Sequence, residues 1–176
     1  MKLPNILTLF RILLIPVFIF LFFSDLNNNL TYAFVVFFIA GVTDVLDGYI
    51  ARKYDMITDL GKVLDPLADK LMLMTVLFCL ASTELIPVWV LTLIIIKELI
   101  MVYGGIRLYF SKEQVIIPSN KYGKLATVCF YFAICLVLLQ IEGFFATVIL
   151  YLAVAMALYA FFNYVLIAFK TKNKNI

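Results

Sequence analysis

Residues 41–70 decide the fold: Gly41-Val-Thr-Asp44-Val-Leu-Asp47-Gly48-Tyr-Ile-Ala51-Arg52, eight intervening residues, then Gly61-Lys-Val-Leu-Asp65-Pro66-Leu-Ala-Asp69-Lys70. Both halves lie in apolar surroundings, and each carries two aspartates at helical spacing. Asp44 and Asp47 are three residues apart, and Asp65 and Asp69 are four apart, so each pair occupies one face of a helix. A short loop between the helices predicts antiparallel neighbours with their acidic ends adjacent. Asp44 lies about 12 Å of helix below Arg52, which marks a membrane boundary. The aspartates are therefore expected slightly inside a bilayer and open to the cytosol.

The rest of the sequence has the composition of a membrane protein. Of its 176 residues 65% are hydrophobic and 14% charged, and the mean hydropathy is +1.09. Soluble domains are nearer half apolar and a quarter charged. A helical span takes about 20 apolar residues. Six are expected, at about Ile6–Phe23, Leu30–Arg52, Lys62–Ala81, Ile86–Tyr109, Tyr122–Gln140 and Phe144–Phe169. Little of the chain remains outside them, which predicts one all-α membrane domain over residues 1–176. The first span follows Lys2 but lacks a small-residue cleavage site, so it is expected to be retained as a helix rather than removed as a signal.

Charge placement orients the bundle. The turns Ser24–Asn29, Ser82–Leu85 and Ile141–Gly143 contain Asp25, Glu84 and Glu142 but no lysine or arginine. All 14 basic residues fall at the N-terminus, in the 52–70 and 97–124 segments, or in the Lys170–Lys174 tail. Positive-inside then predicts that both termini and the two longer loops are cytosolic. Met1–Ile12, with Pro4 at a first turn and Lys2 and Arg11 on its flank, is expected to be a short interfacial amphipathic helix. A net charge of +3 does not argue for a nucleic-acid partner. Cys79, Cys129 and Cys135 lie in apolar spans without metal-type spacing and are expected to pack.

Four carboxylates in such a place repel one another and are costly to desolvate, so a cation is expected among them. The chain has no histidine. Hard oxygen donors without imidazole or thiolate favour Mg²⁺, Mn²⁺ or Ca²⁺. Mg²⁺ completes its shell with water and substrate phosphates, so a diphosphate substrate fits, and one aspartate can take a proton from an incoming hydroxyl. Gly48 and Gly61 remove side chains where a nucleotide or backbone approaches closely, although a small residue also serves helix packing. Asp65 followed by Pro66 reads equally as a helix N-cap.

Asp44-x-x-Asp47-Gly48-x-x-Ala51-Arg52, eight residues, then Gly61-x-x-x-Asp65-x-x-x-Asp69 resembles the signature of the CDP-alcohol phosphatidyltransferase family, with every fixed position filled. The Leu3-Pro4-Asn5 start with Leu7-Thr8 and Arg11, the Leu64–Lys70 run and the six-span layout extend the resemblance over essentially the whole chain. It implies two divalent cations, Mg²⁺ or Mn²⁺, held by Asp44, Asp47, Asp65 and Asp69, with Asp69 as general base. It also implies that Asn5, Gly48, Ala51, Arg52 and Gly61 form the site for the CDP-linked donor. The glycines would make room for the cytidine nucleotide, and Arg52 would contact its phosphates. The fold implied is a six-helix homodimer in the membrane, with the site facing the cytosol.

Arg107, Lys121 and Lys124 are candidates for binding an acceptor alcohol, because a phosphorylated acceptor suits a basic pocket. Lys97 and Glu98, inside the fourth span, fit either function or an ion pair between helices. Within the family the chain most resembles the phosphatidylglycerophosphate synthase group, through the basic-Glu pair at 97–98, Arg107, Ser119 and Gly123-Lys124-x-x-Thr127. That resemblance implies CDP-diacylglycerol as donor and glycerol 3-phosphate as acceptor. Ala126 stands where the group usually has a second lysine, and Lys97 where it has an arginine. Transfer to phosphatidylglycerol, the cardiolipin synthase type, is the alternative this leaves open. A cation-coupled transporter is a distant alternative, disfavoured because the acidic residues lie at the cytosolic end rather than midplane.

Overall fold

In the computed structural model, residues 3–54, 59–110, 121–141 and 144–172 are described, and they form six α-helices. These are α1 (Leu3–Phe22), α2 (Asn29–Lys53), α3 (Asp59–Ser82), α4 (Val88–Phe110), α5 (Lys121–Leu138) and α6 (Phe144–Lys172). No strand occurs among the described residues. Each expected span corresponds to one helix, with ends displaced by a few residues. Asn29–Ala51 and Phe144–Asn163 are long and apolar enough to cross a membrane, by length and composition.

Three local features depart from the sequence expectations. Within the expected interfacial helix Met1–Ile12, the described residues from Leu3 onward are not separate from the first span, because α1 continues without a break from Leu3 to Phe22. Pro66 lies inside α3, seven residues after it begins at Asp59, so Asp65 is not its N-cap. Arg11, expected on the flank of that interfacial stretch, is wholly buried.

The chain divides into two compact units, Met1–Pro87 with Cys135–Ile141, and Val88–Ile134 with Glu142–Ile176. In the first unit α1 packs extensively against both α2 and α3, whereas α2 and α3 touch one another only sparsely. The two acidic helices do meet, with aspartates close enough to act on one another, but most of the packing of each is against α1, which carries a cation between their carboxylates. The packing follows from side-chain size. Ala33 and Ala40 on α2 and Ala68 on α3 are fully buried, allowing close helix approach, while Phe18, Phe37, Met72 and Val76 fill the space between. Phe18 and Phe22 stack with centroids 5.7 Å apart. In the second unit α4 packs on α6, with Trp89 against Tyr151 at 5.4 Å, and Ala153 and Ala157 line a buried stripe of α6.

Helices α3 and α5 end alike. Glu84 (φ 60°) and Gln140 (φ 53°) take the left-handed conformation just past the helix. The Leu85 N–H donates to Leu80 O at 3.0 Å and the Ile141 N–H to Leu136 O at 3.0 Å, closing Schellman caps. Glycine is the usual residue there, and an L side chain costs about 1 kcal/mol. Glu84→Gly is therefore expected to raise stability by up to about 1 kcal/mol, read as a higher melting midpoint in detergent. A lower midpoint would contradict the reading of this turn.

Candidate active site

The site is built in the first unit from one face of α1 and the aspartate-bearing segments of α2 and α3. Thr8 and Arg11 are three residues apart, so they project from one face of α1. Both are buried. The Arg11 guanidinium reaches Asp44 Oδ1 through Nη1 at 2.7 Å and Asp47 Oδ2 through Nη2 at 2.5 Å. A planar guanidinium presents its donors as a fork, so one side chain can bridge two carboxylates that successive turns of α2 place side by side. The Thr8 hydroxyl donates to Asp65 Oδ1 on α3. α1 thus holds a carboxylate from each acidic helix.

Burial differs across the set. The Asp47 side chain is 3% exposed and the Asp44 side chain 38%, while Arg11 is at 0%. Asp65 and Asp69 are half-buried. The four charges act on one another: Asp44 experiences the repulsion of Asp65 and Asp69, and Asp47 that of Asp44 and Asp65. Arg11 opposes this repulsion at both α2 carboxylates. Gly61 is buried and Gly48 and Ala51 are half-buried beside the aspartates.

Among the described residues, no three or more carboxylate or thiol side chains close into a ready-made metal cage. The donor set still fits divalent Mg²⁺ or Mn²⁺. Such ions usually take only one or two carboxylates from protein and fill the rest of their shell with water and phosphate oxygens. Asp44 and Asp65, both partly exposed, offer carboxylate oxygens of that kind on two different helices.

The sequence-predicted aspartates Asp44, Asp47, Asp65 and Asp69 are brought into one electrostatic group. Asn5 lies in α1, Arg52 in the last turn of α2, Arg107 in the last turn of α4, and Lys121 and Lys124 in the first turn of α5. The side chains of these five lie outside the described residues, as does Ser119. Arg107, Lys121 and Lys124 belong to the second unit. Lys97 Nζ pairs with Glu98 Oε1 at 2.6 Å, so this ion pair joins chain neighbours on α4. Ala126 is buried at 3% exposure, so the lysine usual at that position in the resembled group would begin from an inward-facing site.

What sequence reasoning missed is the role of Thr8 and Arg11 as partners of the aspartates. The available signal was the unbalanced charge of four aspartates together with a polar pair at helical spacing on the first span.

The chain is similar in sequence to several known proteins. The profile described as CDP-alcohol phosphatidyltransferase matches residues 1–159. The chain is similar to a CDP-diacylglycerol–glycerol-3-phosphate 3-phosphatidyltransferase of Rickettsia typhi, 37% identical over 144 residues covering 81% of this chain and 79% of that protein. Its counterpart in Bacillus subtilis is 36% identical over 138 residues, covering 72% and 70%. A cardiolipin synthase (CMP-forming)/mitochondrial hydrolase fusion protein of Schizosaccharomyces pombe is 44% identical over 100 residues, covering 57% of this chain and 16% of that protein. With its signature aspartates gathered on two helices and the family profile spanning nearly its whole length, the chain belongs to the CDP-alcohol phosphatidyltransferase family.

Proposed function

We propose that this chain transfers the phosphatidyl group of CDP-diacylglycerol to a hydroxyl of glycerol 3-phosphate, forming phosphatidylglycerophosphate and releasing CMP. The observation that carries the proposal is the group of four aspartates on α2 and α3, organised by Arg11 and Thr8. The names of the bacterial relatives support the choice of donor and acceptor. The domain is taken to cross the membrane six times, with both termini and the site on the cytosolic side and the first turns of α1 at the interface. It is taken to work as a homodimer among membrane lipids.

Asp44, Asp47, Asp65 and Asp69 would hold two divalent cations, Mg²⁺ or Mn²⁺. When bound, these ions would neutralise the diphosphate and polarise the bond to be broken. The acceptor oxygen forms its bond to the phosphorus on the lipid side of the diphosphate as the bridging P–O bond breaks and CMP departs. Asp69, the most C-terminal of the four, takes the hydroxyl proton of the acceptor onto its carboxylate. Gly48, Ala51 and Gly61 leave room for the nucleotide, with Asn5 and Arg52 directed to the donor. Arg107, Lys121 and Lys124 supply the positive charge that selects a phosphorylated acceptor.

A second reading, transfer to phosphatidylglycerol, is favoured by Ala126 and by the similarity to the fusion protein over 100 residues. An acceptor panel separates the two. Purified protein with CDP-diacylglycerol and Mg²⁺ or Mn²⁺ is expected to release CMP when given glycerol 3-phosphate, and to stop when EDTA is added. Release with phosphatidylglycerol but not with glycerol 3-phosphate would establish the second reading instead.

A further inference from the structure

We propose that Arg11 is a built-in counter-cation of the aspartate centre, holding Asp44 and Asp47 when no metal is bound and competing with the divalent ion for them. The inference rests on the metal-binding reading above and assigns to this residue a control over that binding.

The geometry is that of a cation site already filled by protein. Arg11 is wholly buried, and its two terminal nitrogens contact one oxygen each of Asp44 and Asp47, at 2.7 and 2.5 Å. Among the described residues its Nε has no hydrogen-bond partner, and Nη1 meets Asp44 as an ion pair without hydrogen-bond geometry, whereas Nη2 donates to Asp47. A guanidinium buried only to pack would be expected to have its remaining donor satisfied. This one instead brings both terminal nitrogens to the carboxylates as ion pairs, with Nε and Nη1 left without a hydrogen bond among the described residues. Its neighbour one turn earlier, Thr8, takes Asp65. α1 therefore provides a substitute for inner-sphere contacts on both acidic helices.

A guanidinium and a divalent ion cannot both lie against the same carboxylates without strong repulsion, because like charges a few ångströms apart inside a protein are poorly screened. Metal loading must then weaken or displace the Arg11 contacts. The guanidinium so released stays beside the site, where a diphosphate can accept it. Without metal, the same contacts keep four repelling carboxylates together. Linkage requires the two effects to be reciprocal: whatever Arg11 contributes to the empty site is subtracted from metal affinity.

The test measures Mn²⁺ binding to detergent-solubilised protein by the loss of its free-ion electron paramagnetic resonance signal. Melting midpoints are recorded in parallel, in EDTA and in Mn²⁺. Arg11→Gln is expected to bind Mn²⁺ about tenfold more tightly than the unaltered chain. It is also expected to melt lower in EDTA and to gain more from Mn²⁺. Arg11→Lys, whose compact ammonium cannot bridge two carboxylates as a fork does, is expected to bind several-fold more tightly and to serve if the glutamine variant does not fold. Equal or weaker Mn²⁺ binding by the variants that fold would overturn the role of Arg11 while leaving the metal reading intact. Failure of the unaltered chain to bind Mn²⁺ at all would overturn both.

Discussion

Asp69→Asn is expected to abolish CMP release while leaving the protein folded. The substitution keeps the size of the side chain and removes its capacity to accept the acceptor's proton, a function that contributes about 10²–10⁴-fold to a rate. It also removes one anionic ligand from the proposed metal set, so the combined loss is expected at the upper end of that range. Asp69 is half-buried, and the Arg11 ion pairs to Asp44 and Asp47 are kept when Asp69 loses its charge. The melting midpoint in EDTA should therefore stay close to that of the unaltered chain. Turnover within tenfold of the starting activity would remove Asp69 from the role of base.

Asp47→Ala is expected to behave differently, losing stability as well as activity. The Asp47 carboxylate is 3% exposed and sits 2.5 Å from a guanidinium that is itself wholly buried. Removing one member of a buried ion pair leaves the other charge without its partner, at a cost of about 3–5 kcal/mol. Asp44, 38% exposed and 2.7 Å from Nη1, would still hold one side of Arg11, which places the expected cost at the lower end. The melting midpoint of Asp47→Ala should fall clearly below that of Asp69→Asn. Equal midpoints for the two variants would show that Arg11 does not depend on Asp47. Replacing Arg11 and Asp47 together by apolar residues should recover part of the stability lost by Asp47→Ala, because no buried charge is then stranded on that side.

Much of this organisation is legible in the amino-acid sequence. Long apolar runs mark six helices, two of which are long and apolar enough to cross a membrane, because a helix in apolar surroundings satisfies its backbone hydrogen bonds internally and leaves a simple pattern. The spacings Asp44–Asp47 and Asp65–Asp69 place each pair on one face through helical periodicity alone. Other features depend on tertiary contacts that spacing does not encode. Arg11 is 36 residues from Asp47, and Thr8 is 57 residues from Asp65. An arginine near the start of an apolar helix commonly snorkels to the interface, so its local pattern points outward. Its burial becomes understandable only once α1 is seen between two acidic helices that scarcely touch. Pro66 misleads for a related reason: proline after aspartate is a frequent helix start, yet α3 begins well before it, at Asp59, and tolerates the proline within it.

The acceptor side follows a different logic. The basic residues proposed for it, Arg107, Lys121 and Lys124, are recognisable by charge, but charge alone does not rank one phosphate-bearing acceptor above another. Ala126 sharpens the issue, since it is small and buried where a lysine would add a cation. Acceptor choice is thus the part of the account that depends most on direct chemistry.

The most direct measurement is the identity and stoichiometry of the lipid product. The purified chain, reconstituted in vesicles containing CDP-diacylglycerol and supplied with Mg²⁺ or Mn²⁺ and isotopically labelled glycerol 3-phosphate, should be followed by mass spectrometry of lipid and nucleotide together. The account predicts labelled phosphatidylglycerophosphate and CMP appearing in equal amounts. Unlabelled lipid products, or CMP formed without any labelled lipid, would contradict it.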